Sequence, residues 1–287
     1  MAAKERKGTQ GGWILVAFLL CASSRSFAAT DSFDPKALTV DELIFHAQRT
    51  GSTPEKNVRK DEAWNELVSR GAASLGPLME RIHIENSLIG VFVQNIVEKI
   101  PGEESAPVLV EFLDDPHATT RKMAAFFLGL HDTPEYADQV LPLLTDDEAA
   151  GAAIRTLGKW HATNAFDRII PFLAHQREVR RIAAVNALRD IGDTRAVPYL
   201  LDALNDRYFT VREAAARALS TMGAEAGRAM TKDLMTAKDP ARRHIIRTLG
   251  VTRLKAAERP LESLTQDADE NVRLDAERAL AAIRGGG

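Results

Sequence analysis

Leucine-like residues return along most of this chain at a nearly fixed interval: Leu67, Val97, Leu128, Leu157, Leu188, Leu219, Leu249 and Leu280. The gaps between them are 30, 31, 29, 31, 31, 30 and 31 residues. A period of this length marks a repeat architecture, in which one supersecondary unit is copied and stacked on itself. The flanking residues keep the same beat. An arginine commonly stands seven or eight positions before the anchor, at Arg59, Arg121, Arg180, Arg212, Arg242 and Arg273. Alanine pairs fall between arginine and anchor, as in Ala124-Ala125, Ala183-Ala184 and Ala214-Ala215.

One unit shows the module. In EVRRIAAVNALRDIGDTRAVPYLLDALND, residues Val179, Ile182, Ala183, Val185, Ala187, Leu188 and Ile191 recur at helical spacing. Gly192 ends that helix and Asp193-Thr194 opens another, lined by Val197, Leu200, Leu201 and Leu204. Each unit therefore reads as helix, short turn, helix. Helices of about 10–12 residues are marginal alone in water, so the units must stack to bury their apolar stripes. Only 6% of residues are aromatic while Ala, Leu and Arg recur, which also favours helices. The fold class expected is all-α: a right-handed α-solenoid of about seven and a half stacked helix pairs.

The pattern VR-x(2–3)-AA-x(2)-AL-x(2)-IGD-x(2)-AVPYLL-x-AL-x-D resembles the HEAT repeat. More narrowly, it is similar to the short bacterial HEAT-like repeats first associated with phycobilin lyases. The resemblance runs from about Thr53 to Ile283 and is strongest over 176–236. It is weakest at 85–113, where Ile89 stands at the arginine position, and at 146–158, where Ala149 does. Those gaps leave the continuity of an arginine ladder open. The resemblance implies architecture and is nearly silent on chemistry.

Residues 1–28 have the form of an export signal. Lys4, Arg6 and Lys7 precede the apolar run Trp13–Ala22, and Ser26 and Ala28 are the small residues expected at a cleavage site after Ala28. The run is shorter than the span of a bilayer core. An uncleaved anchor and a lipid on Cys21 are the alternatives. Cleavage would leave a cysteine-free chain, since Cys21 is the single cysteine. The expected location is exported, periplasmic or secreted, given a bacterial source. The domain reading is a signal peptide at 1–28, a tether at 29–38, an N-terminal capping helix at 39–52, the repeat array at 53–284 and a flexible tail at 285–287. Thr39-Val40-Asp41-Glu42 supplies a capping box for that first helix.

No pattern carries chemistry. The seven histidines form no HxxH, HxxxH or HExxH, and none is followed by Glu. The di-iron His-Glu pairs of the HEAT-like deoxyhypusine hydroxylases are therefore not carried over. His83-Ile84-Glu85 comes nearest and reads as a turn and helix cap. Neither Gly71–Gly76 nor Gly151–Lys159 has the spacing of a nucleophile elbow or a phosphate loop. Asp114-Asp115 and Asp146-Asp147 lie at unit boundaries, where Asp caps the next helix. No catalytic residue, cofactor or metal is expected. The arginine column reads as structural, with Arg212 directed to Asp206, Arg242 to Asp239 and Arg273 to Asp267 or Asp269.

Charge divides the chain. Residues 29–138 hold 10 Lys and Arg against 19 Asp and Glu, a net of −9, whereas residues 139–287 hold 23 against 20, a net of +3. The whole chain, at −3, is no polybasic nucleic-acid binder, and no specific nucleic acid is expected as a partner. Within 242–259, Arg242, Arg243, His244, Arg247, Arg253, Lys255 and Arg259 face one acid, Glu258. Arg243 and Arg247 are read as exposed contacts for an acidic partner, reversible in charge without loss of stability. Gln139, Arg168, Tyr199, Lys232 and Arg259 occupy comparable second-helix positions outside the apolar pattern and complete the expected contact surface. The expected function is an exported, non-catalytic scaffold that holds another protein on its concave face. The alternative is a HEAT-like enzyme, either a lyase or isomerase of the phycobilin-lyase type or an oxidoreductase.

Overall fold

A computed structural model describes residues 33–48, 53–83 and 87–285. The expected signal peptide with Cys21, the start of the tether, residues 49–52, Glu85 and the last two glycines lie outside the described residues. All described regular structure is helical, and the chain divides into two compact units, 1–63 and 64–287.

The first unit contains α1 (Val40–Gln48) and the start of α2 (Pro54–Ser69). The capping box forms: the Thr39 amide donates to Glu42 Oε2 at 2.8 Å, and the Glu42 amide donates back to Thr39 Oγ1 at 3.3 Å. Two amides that the helix cannot satisfy internally are thereby paired. The Phe33 ring meets His46 edge-on at 5.0 Å, and Arg59 lies 5.6 Å from its centroid.

The second unit continues α2 and adds α3 (Ala72–Arg81), α4 (Ser87–Val97), α5 (Gly102–Glu111), α6 (Ala118–Leu128), α7 (Ala137–Val140) and α8 (Ala150–Lys159). It closes with α9 (Phe166–Ile169), α10 (Glu178–Ile191), α11 (Val197–Ala203), α12 (Phe209–Thr221), α13 (Gly223–Asp233), α14 (Ala241–Thr252), α15 (Glu258–Leu264) and α16 (Glu270–Arg284). The even-numbered helices are the first helices of the repeats. From α6 onward each packs on the next: α6 on α8, α8 on α10, α10 on α12, α12 on α14 and α14 on α16. The fold is an α-solenoid of stacked helix pairs, as the sequence period requires. All eight anchor residues are buried, and seven of them have no exposed surface.

The turn in the central unit forms as its residues dictate. Gly192 ends α10 in the left-handed region at φ 75°, and Asp193 accepts the Arg195 amide at 2.9 Å to open the next element. Two second elements keep only one turn of α-helix where a single α-helix was expected. The 3₁₀ stretches Pro134–Tyr136 and Leu141–Thr145 flank the one turn of α7, and Thr163–Ala165 and Ile170–Ala174 flank α9. Pro142 and Pro171 stand second in their stretches, where the fixed φ suits the backbone and no amide is needed.

First helices approach closely where side chains vanish. A Cβ on Gly158 would lie 2.7 Å from the Ala187 Cα, and one on Gly250 would lie 2.8 Å from the Ala279 Cα. Side chains also reach between units to helix-end carbonyls. Thr156 Oγ1 donates to Ala125 O at 2.7 Å, Lys159 Nζ to Gly129 O at 2.9 Å, and Trp160 Nε1 to His131 O at 2.8 Å. These bonds fasten α8 and the residue after it to the C-terminal end of α6 and the turn that follows.

The arginine column is structural and has a fixed geometry. Arg121, Arg181, Arg212 and Arg273 each donate through Nη1 to the carbonyls six and five residues earlier, at 2.7–3.2 Å. Arg121, Arg181 and Arg242 also bond the aspartate 25 residues later, Asp146, Asp206 and Asp267, at 2.6 Å. Arg121 and Arg181 thus each close their own turn and grip the next. Arg212 and Arg273 reach Asp206 and Asp267 as expected, through their carbonyls, while one expected partner and one column member are corrected. Arg212 takes the Asp206 carbonyl, because the Asp206 carboxylate belongs to Arg181. Arg242 reaches Asp267 instead of Asp239. In the central unit the column member is Arg181, not Arg180.

Arg180 fills a gap. Helix α8 carries alanine, Ala149-Ala150, where its neighbours carry the arginine, and at the adjacent Gly151 a side chain would occupy the space of the Arg180 guanidinium. Arg180 reaches back from α10 and donates to Asp147 O at 2.6 Å and to Glu148 O at 3.3 Å. The weak point of the repeat pattern is therefore closed from the following repeat.

Candidate binding surface

Gln139 on α7, Arg168 on α9, Tyr199 on α11, Lys232 on α13 and Arg259 on α15 are all exposed. They stand on successive second elements, one to a repeat. Of the five, Tyr199 is set in a defined groove. A cavity of about 430 Å³ opens between the 3₁₀ stretch Ile170–Ala174 and α11, with Ile170, Leu173 and Ala203 as apolar lining and Tyr199, Asp202 and Asn205 as polar lining. Tyr199 remains 43% exposed, so its ring has free area to give to a partner. Aromatic side chains supply large contact area together with a hydroxyl handle.

The groove continues past Ala174 into a second hollow of about 580 Å³ edged by His175, Gln176, Arg181 and Arg207. Asp206 is common to both. Burial disfavours its charge, but the hydrogen bonds from Arg181 and the Tyr208 amide outweigh that and hold its carboxyl below the usual range. Tyr208 lies between two guanidiniums, 5.3 Å from Arg181 and 4.9 Å from Arg207. The Tyr208–Arg pair was not foreseen. Its signal was the Asn-Asp-Arg-Tyr turn that begins the next unit.

Arg243 and Arg247 require a correction. They are not free surface cations. Arg243 Nε lies 2.8 Å and Arg247 Nη2 lies 3.1 Å from Asp275 Oδ2, and the Asp275 side chain is only 4% exposed. Burial opposes the Asp275 charge, but Arg247 and Arg243 more than offset it and lower its pKa. Reversing both charges would bury an unpaired carboxylate among like charges, so stability cannot stay unchanged. Sequence reading missed this because the acceptor lies 32 residues from Arg243, in the next repeat.

Among the described residues, no group of three His, Cys, Asp or Glu side chains is placed to hold a metal ion. His83 and His117 stack in parallel with centroids 3.5 Å apart, beside Asp115. No described helix is long and apolar enough to cross a membrane.

Stacked helix pairs, first-helix contacts and a side-chain ladder at the repeat period define a helical repeat protein. Residues 140–220 match the family model of the HEAT repeats. No curated protein matches it by sequence. Among solved structures it is similar to YibA of Escherichia coli, with 17% identity and a TM-score of 0.50, over 96% of this chain and 98% of that one. At this identity the likeness shows the fold alone. It is also similar to the CpcE–CpcF complex of phycocyanin lyase from Nostoc sp. PCC7120, with 18% identity, a TM-score of 0.41, and 91% and 99% of the two chains covered. Human deoxyhypusine hydroxylase matches at 18% identity and a TM-score of 0.35, over 86% of this chain and 97% of that one.

Proposed function

We propose that this chain is an exported, non-catalytic scaffold that binds another protein through the side formed by its second helices. The observation that carries the reading is the groove beside Tyr199, where an exposed aromatic ring borders apolar lining and a row of polar groups. Such a groove suits an inserted side chain of a protein partner, with the exposed residues of the neighbouring repeats around it. Export rests on the basic, apolar and small-residue succession of residues 4–28.

Site-specific photocrosslinking tests the reading. A photoreactive residue at Tyr199 should capture one discrete partner in cells, and one at exposed Val179 on a first helix should not. Equal labelling at both positions, or none at Tyr199, would refute it. N-terminal sequencing of the exported protein should begin at or near Ala29.

A further inference from the structure

The first-helix side of the last three repeats carries a second, different surface. Helix α12 presents Phe209, Glu213 and Arg217, and α14 presents His244, Arg247 and Val251, to one shared cleft of about 340 Å³. Both rows follow helical spacing, so they run side by side along the two helices. Because the repeat is 30–31 residues long, Arg217 and Arg247 stand at the same height, and Arg278 on α16 stands level with them. Packed helices lie about 8–10 Å apart, which sets the pitch of these three guanidiniums. This column is separate from the Arg121–Arg273 ladder.

Its charge is only partly spent. Arg247 shares Asp275 with Arg243, and among the described residues neither Arg217 nor Arg278 has an ion-pair partner. His244 forms the floor and is 4% exposed. Its Nε2 accepts from Arg212 Nε at 3.3 Å and its Nδ1 faces Glu213 Oε1 at 3.3 Å, the pairing of a neutral ring. Among the described residues, Glu213 is the only carboxylate lining the cleft. At the two ends of the cleft stand Phe209, 57% exposed, and Val251, 75% exposed.

We propose that this column binds an acidic linear peptide segment of a partner protein, laid across α12, α14 and α16. An extended chain rises about 3.3 Å per residue, so a carboxylate at every third position repeats at about the pitch of the arginines. Apolar side chains between the acids reach Phe209 on one side and Val251 on the other. Arginine supplies paired donors to each carboxylate, which favours this anion over a diffuse charge. The surface is independent of the Tyr199 groove.

Fluorescence anisotropy tests it with a labelled peptide carrying Glu at every third position and Leu between. Comparison probes are a scrambled peptide with its glutamates contiguous and a labelled oligothymidylate. The test variant is Arg217→Glu/Arg278→Glu, which leaves Asp275 paired, and Tyr199→Ala is the control on the other side. Binding of the spaced peptide should saturate, weaken with salt, and fall by about tenfold or more in the double variant while Tyr199→Ala binds normally. The thermal melt of the double variant should match wild type. The proposal is overturned if the spaced peptide does not bind, if the double variant binds as wild type, or if Tyr199→Ala is the variant that loses it. It is equally overturned if oligothymidylate binds as tightly and is lost in the same variant, which would make the column a general polyanion site.

Discussion

Arg212 donates through Nε to Nε2 of His244 in the next repeat, at 3.3 Å. Its counterparts Arg121, Arg181 and Arg242 use an aspartate 25 residues on, but the residue at that distance from Arg212 is Ala237. The repeat that lacks an acid has recruited a buried histidine in its place. Burial, with help from Arg212, Arg247 and Arg243, lowers the His244 pKa despite Glu213, which pulls it upward. The imidazole therefore stays neutral and keeps a lone pair for Arg212.

That arrangement predicts a pH response. An unfolded histidine protonates near pH 6.5. The folded ring resists until lower pH, so the unfolded state binds the proton first and stability falls as pH drops below about 6.5. Urea melts between neutral pH and about pH 5 should show this slope, and His244→Gln should reduce it. His83, whose pKa is also lowered, chiefly by burial, accounts for part of what remains.

A second acid transition belongs to Asp146, Asp206, Asp267 and Asp275, all with lowered pKa values. Their stabilisation is complete above about pH 4, where an unfolded carboxyl is ionised, and is lost as pH falls through the depressed folded values. Stability measured from pH 5 downward should decline in this window. An Arg181→Leu variant should show a shallower decline, since Asp206 then has no guanidinium to lose.

The same variant tests the clamp directly. The Arg181 and Asp206 side chains are 6% and 12% exposed, so truncating Arg181 leaves a largely buried carboxylate unpaired. The expected loss is on the order of 3 kcal/mol in chemical denaturation. Arg195→Ala, which breaks a pair whose arginine is 59% exposed, should leave the melt unchanged.

Inside and outside are separable by charge insertion. Leu188→Asp places a carboxylate at a site with no exposed surface in the middle of the stack, a cost of several kcal/mol, and the cooperative melt should be lost by circular dichroism. Tyr199→Asp should melt like wild type.

Gly250→Val should push α14 away from α16, because its new Cβ would meet the Ala279 backbone at 2.8 Å. Overpacking of this kind costs about 1–3 kcal/mol, and the melting temperature should fall accordingly. Gly76→Ala, where a Cβ meets nothing within 4 Å, is the neutral comparison.

The sequence made the stack legible because its signals are local and repeated. Gly192 and the Thr39–Glu42 box act within a few residues, the leucine period returns at eight positions, and each appears where it was expected. Partners across a repeat were less legible. Asp275 holds Arg243 from 32 residues away and Asp206 holds Arg181 from 25, and single-chain patterning does not say which neighbour an arginine will choose. The second-helix row could be located because the apolar pattern left it outside the core. The cleft at Arg217 was not foreseen, since it exists only once α12 and α14 are laid side by side.

The closure of the Gly151 gap by Arg180 limits how this array can be rearranged. A repeat whose contacts were all self-contained could be deleted, duplicated or moved as a cassette. The segment bearing Gly151 cannot, because the guanidinium that completes it is encoded one repeat downstream. Any recombination that separates the two would leave the Asp147 carbonyl without its donor and Arg180 beside a foreign side chain. These two repeats therefore complete one another, in addition to the Arg121–Asp146 and Arg181–Asp206 clamps that join them to their neighbours.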